Sequence, residues 1–164
     1  MLDNNGVATQ EQIKSVFPDI KRINQGPVAI VECYEKIPCN PCYKSCNFEA
    51  ISDLTDINNI PLVNAEKCTG CGACVFNCPG LAIMIVDGSK SDDYVIFKIP
   101  YEFLPLPKEQ QTIQGLDREG KYITDVKIIK VQNSKAMDRT PVAHVQVDRK
   151  YMYDFRNIRI GDKT

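Results

Sequence analysis

Long apolar runs are missing from this chain. The longest uninterrupted one, Leu81 to Val86, falls far short of the roughly 20 residues that a membrane-spanning helix needs, which excludes a span of that kind. Tryptophan is absent, and the single histidine, His144, leaves little imidazole for metal ligation or general-base chemistry. It sits in the alternating run Val142-Ala-His-Val-Gln-Val147, where a packed or surface role is expected. No charge of one sign dominates: 20 Lys and Arg stand against 21 Asp and Glu, a formal net charge of −1. That balance gives no global attraction to nucleic acid or to an anionic membrane. No glycine-rich strand-to-helix turn for a phosphate is visible, because Gly70 and Gly72 lie between cysteines. The stretch from Met1 to Gln10 has neither the basic start nor the apolar segment of a secretory signal, so a cytoplasmic location is expected.

What the chain does have is eight cysteines among its 164 residues. A reducing cytosol does not favour structural disulfides, which makes metal ligation the natural reason for them. All lie between Cys33 and Cys78. The chain therefore divides into a cysteine-free head, residues 1–27, a cysteine-dense middle, residues 28–90, and a cysteine-free tail, residues 91–164.

The second cysteine group reads Cys68-Thr-Gly-Cys71-Gly-Ala-Cys74-Val-Phe-Asn-Cys78-Pro79. This is the bacterial C-x2-C-x2-C-x3-C-P run that holds cubane clusters. Gly70 and Gly72 allow the tight path around a cube because they lack a Cβ, and Pro79 fixes the backbone after Cys78 so that it leaves in a new direction. In runs of this kind the fourth thiolate serves the other cluster. The first group, Cys33-x5-Cys39-x2-Cys42-x3-Cys46, keeps the later spacings but has a longer first gap at Ile37-Pro38 and Asn47 in place of the proline. The implied pairing is Cys33, Cys39, Cys42 and Cys78 on one cluster, with Cys68, Cys71, Cys74 and Cys46 on the other. A repeat supports it, since Ala50-Ile51 follows Cys46 as Ala82-Ile83 follows Cys78. Zinc ribbons use two separated C-x2-C knuckles instead. A zinc-binding, non-redox interaction module is the alternative from another class, and a single cluster the alternative within this one.

Over residues 28 to 88 the chain resembles bacterial-type dicluster ferredoxins. The resemblance implies a ferredoxin-like α+β domain of two strand-loop-helix units, two [4Fe-4S] clusters and one-electron transfer without substrate chemistry. The short runs Val28–Val31 and Ile83–Val86 are its expected strands. Residues 28–90 carry Glu32, Glu35, Glu49, Asp53, Asp56, Glu66 and Asp87 against Lys36, Lys44, Lys67 and Lys90, a local −3. Negative charge disfavours reduction, so low potentials are expected at both centres.

The head carries a capping box at Thr9-Gln-Glu-Gln12, which predicts a helix over about 10–17, ended by Pro18, and further helical structure over 19–24. In the tail, the three prolines of residues 100–107 predict an extended connector. Strands are expected at 112–116, 122–131 and 142–147, with a turn at 117–120 and a short closing helix at 150–155. The tail should thus form a small antiparallel β domain after a boundary near residue 91. A second resemblance spans nearly the whole chain. Residues 26–42, 130–140 and 156–160 are similar to the small iron-sulfur subunits that accompany FAD-dependent dehydrogenases of the proline, hydroxyproline and sarcosine type. It implies a heteromeric complex in which flavoprotein subunits handle the substrate and this chain relays electrons. A freestanding ferredoxin shuttle is the alternative, and no nucleic-acid partner is implied.

Overall fold

The computed structural model describes residue 2 and residues 5–161. Helix α1, Gln10–Val16, begins where the capping box places it: Thr9 Oγ1 accepts from the Gln12 amide at 3.2 Å, and Gln12 Oε1 accepts from the Thr9 amide at 2.8 Å. Pro18 separates it from α2, Ile20–Gln25, whose N-cap Asp19 accepts from the Arg22 amide at 2.9 Å. The helices bury Ile13 and Ile23 against a sheet, as does Phe17 at the end of α1. Phe17 meets Tyr153 of the tail at a ring-centroid distance of 4.9 Å.

That sheet is antiparallel and has seven strands among the described residues. They are β1 (Val28–Val31), β2 (Ile83–Asp87), β3 (Tyr94–Pro100), β4 (Thr112–Leu116), β5 (Tyr122–Gln132), β6 (Val142–Asp148) and β7 (Asn157–Arg159). Their order is β1-β2-β3-β6-β5-β4-β7. The strands expected for the cysteine-rich middle and those expected for the tail therefore share one sheet. The boundary expected near residue 91 lies in the turn between β2 and β3. The tail does not form a separate small sheet, because β3 bonds β2 along one edge and β6 along the other, from Tyr94↔Asp148 to Pro100↔Val142. Pro100 is the last residue of that strand and only the segment after it is a connector. A 3-10 turn, Arg149–Tyr151, stands where the closing helix was expected.

Strands β1 and β2 are buried on both faces, as the unbroken apolar runs imply. Side-chain alternation sends Val28, Ile30, Met84 and Val86 to the face covered by the head helices and the tail. Ala29, Val31, Ile83 and Ile85 point to the opposite face, where the cysteines lie.

Candidate metal centre

The cysteine-bearing chain folds over that second face in two related halves. Helix α3, Pro41–Lys44, carries Cys42, and α4, Ala73–Asn77, carries Cys74, each on the buried side of its helix. The halves correspond at an offset of 32 residues, from Cys42 to Cys74 and from Cys46 to Cys78. The correspondence extends to backbone detail. Glu49 and Leu81 both adopt a left-handed conformation, with φ of 50° and 51°. The Ala50 amide donates to Cys46 Sγ at 3.3 Å and the Ala82 amide to Cys78 Sγ at 3.4 Å. The isolated bridge Ile51↔Val63 is the counterpart of Ile83↔Val31.

Eight thiols line two cavities. Cys33, Cys39, Cys42 and Cys78 surround one, floored by Val31 and Ile83. Cys46, Cys68, Cys71 and Cys74 surround the other, floored by Ala29 and Ile85. These are the two sets read from the spacing, each with a fourth thiol lent by the other half. Cys33 lines the first cavity despite the longer gap that follows it. Ala29 and Val31 are two residues apart on one strand, about 7 Å along it, so the cavities are neighbours.

The path between Cys68 and Cys71 depends on Gly70. Its φ is +62°, and a Cβ there would lie 2.4 Å from Pro27 Cβ. Gly72, in the left-handed region at φ +91°, is the N-cap of α4.

Burial is the main cause of the thiols' acid-base behaviour. It pushes Cys42 up to about 11, with Cys78, Cys39 and Cys33 adding to the rise, and Cys74 up to about 12, with Cys68, Cys71 and Cys46 adding to it. Cys33 is raised for the same reason, then by Cys78 and Cys39. Four thiols crowded into an apolar cavity resist ionisation together unless a cation neutralises them, and filling such a site must release their protons. The donor set is all sulfur, with backbone amides aimed at it, which suits iron and sulfide. Among the described residues no three Cys, His, Asp or Glu side chains converge closely enough to hold a single metal ion. Four thiols around each cavity are the number of ligands a four-iron cube requires.

Several supporting residues carry no local sequence signal. Arg22 of α2 ties down the entry to the second set, its Nη2 donating to Cys68 O at 2.7 Å and its Nε to Ala65 O at 2.8 Å. Glu32, next to Cys33, is buried between Arg118 and Arg156, whose Nε lies 3.2 Å from Glu32 Oε2. Arg156 also donates to Leu81 O at 2.6 Å. Lys98 of β3 donates from Nζ to Gly70 O at 2.7 Å. Only the folded sheet brings these partners together. His144 lines neither cavity. It bonds Gln132 Oε1 through Nε2 at 2.8 Å, and burial, then Lys98 and Lys130, pushes it down to about 4.

Residues 59–80, which hold the second cysteine run, match the family described as a 4Fe-4S binding domain. The chain is 33% identical over 94 residues to the aliphatic sulfonate oxidoreductase, polyferredoxin-like subunit of Pyrococcus furiosus, covering 55% of this chain and 49% of that one. It is 41% identical over 54 residues to the ferredoxin-type protein NapF of Haemophilus influenzae, 32% of this chain and 31% of the relative. A methylamine utilization ferredoxin-type protein, MauM of Methylophilus methylotrophus, is 35% identical over 79 residues, 40% of this chain and 34% of the relative. The chain thus spans half or less of the length of these curated relatives. No solved structure matches it. The matches show a likeness to a 4Fe-4S binding domain over residues 59–80 and to ferredoxin-type proteins over part of the chain. No helix among the described residues is long and apolar enough to cross a membrane.

Proposed function

We propose that the chain holds two [4Fe-4S] clusters in a ferredoxin-like arrangement and relays single electrons as a subunit of a flavin-containing oxidoreductase complex. The observation that carries this reading is the pair of four-thiol cavities side by side on one face of β1 and β2. A cluster whose irons are all held by cysteine thiolate supplies one-electron oxidation and reduction and leaves no iron open to a substrate. Cys33, Cys39, Cys42 and Cys78 hold the first, and Cys46, Cys68, Cys71 and Cys74 the second. The amides of Ala29, Ala50 and Ala82 stabilise sulfur charge, and the apolar floor limits water. Substrate chemistry belongs to partner subunits.

Two observations support a complex over a free shuttle. The relative from Pyrococcus furiosus is by name a subunit of an oxidoreductase, and the stretches similar to flavoprotein-associated subunits include tail residues that a minimal carrier does not need. We place the assembly in the cytoplasm, where free thiols stay reduced until iron is loaded. Purification from the native host under anaerobic conditions tests the partnership. A stoichiometric flavoprotein is expected to co-elute; recovery of the chain alone, fully loaded and active as a carrier, supports the freestanding ferredoxin instead.

A further inference from the structure

The two halves match so closely that the places where they break are informative. Because Ile51↔Val63 corresponds to Ile83↔Val31, Val63 is the counterpart of Val31 and residue 61 that of Ala29. At the second cavity the Ala29 amide donates to Cys68 Sγ at 3.4 Å. At the first cavity the counterpart is Pro61, which has no N–H to give to Cys33. Cys33 Sγ instead faces the carbonyl oxygen of Glu35 at 3.9 Å, an acceptor that offers a thiolate nothing.

Lys98 is the second break. It pairs with Ile85, which floors the second cavity, and its ammonium bonds Gly70 O between Cys68 and Cys71. Strand β2 has β3 beyond it, whereas β1 is the edge of the sheet, so among the described residues no strand delivers a matching lysine on the other side. Lys130 lies further along the same cross-strand row, past His144, and Asp87 is the opposing carboxylate. The first cavity has a cation of its own, Arg156 beside Cys78, but the buried Glu32 engages it.

Donors to sulfur and nearby positive charge both stabilise the more negative, reduced state of a cluster. Resting on the two-cluster reading above, we propose that Lys98 and the Ala29 amide make the Cys46, Cys68, Cys71 and Cys74 centre the more easily reduced of the two. The relay then has a built-in direction. Transfer between the centres oxidises the first by one electron and reduces the second by one, with no proton in the balance.

The test is a dithionite titration of the anaerobic full chain followed by EPR, with iron counted on every sample. Wild type should show two distinct midpoints. In Lys98→Gln the higher midpoint should fall by about tenfold in the redox equilibrium, equivalent to about 59 mV for one electron, while the lower stays in place; Lys98→Arg should restore it. Pro61→Ala, which supplies the missing N–H at Cys33, should raise the lower midpoint alone, and it remains readable if Lys98→Gln loses iron. A single shared midpoint, a Lys98→Gln shift of the lower centre or of both alike, or no response to either substitution overturns the inference. About eight irons per chain with unmoved midpoints rejects this inference alone; fewer in wild type rejects the two-cluster reading beneath it.

Discussion

Gly70 and His144 show what single residues contribute. A side chain at Gly70 meets Pro27, with the backbone carbon 2.6 Å from the new Cβ, so the loop from Cys68 to Cys71 must leave β1. Gly70→Ala is expected to lose the second centre, about half the iron per chain, while Gly72→Ala, strained by its φ of +91° but with nothing within 4 Å of its Cβ, keeps more of it. Equal iron in both variants contradicts this. His144 moves from 6.5 to about 4 in the folded chain. Between those values the unfolded chain binds a proton that the folded one refuses, so stability falls as pH drops through the window. Thermal unfolding of His144→Gln against wild type should show the variant gaining relative stability from pH 6.5 down to 4; a constant difference refutes the assignment. Residues differed greatly in how well the sequence revealed them. The cysteines announce themselves because their spacing is the constraint the chemistry imposes. Lys98 does not, since a lone lysine in a strand is ordinary until the fold sets it 28 residues away against Gly70.

Among the elements, β1 and the segments that grip it decide where the first cysteine sits. Glu32 is 5% exposed, between Arg118 at 9% and Arg156 at 19%, and it joins the end of β1 to the β4–β5 turn and the approach to β7. Removing one partner of such a buried set leaves uncompensated charge and costs about 3–5 kcal/mol. Glu32→Gln should therefore lower Tm by roughly 10 °C for a chain of this size, measured anaerobically; a change within about 1 °C shows that the triad holds nothing together. Helices α1 and α2 were legible because capping is local. Strand β3 was not. It ends at Pro100, the first of the prolines that mark the connector, and it carries Lys98 and Tyr94. Its pairing with β2 and β6 depends on residues far along the chain. Strand β7, at 3 residues, is too short for alternation to register.

At the scale of the whole molecule, one sheet joins head, cysteine-rich middle and tail, and the apolar core on one of its faces runs from Ile13 through Val28 and Met84 to Phe97, Val145 and Phe155. A chain stopped after Lys90 keeps every cysteine yet strips cover from Val28, Ile30, Met84 and Val86. It is expected to aggregate or to lose its iron, and a soluble fragment with the full chain's iron content contradicts that dependence. Local pattern points to a separate β domain for the tail because cross-strand partners such as Phe97 and Val145 lie far apart in the sequence. The metal content of the full chain purified without oxygen is the most direct test of paired iron-sulfur centres. About eight irons and eight acid-labile sulfides per chain are the predicted result; four of each, or zinc in place of iron, would contradict it.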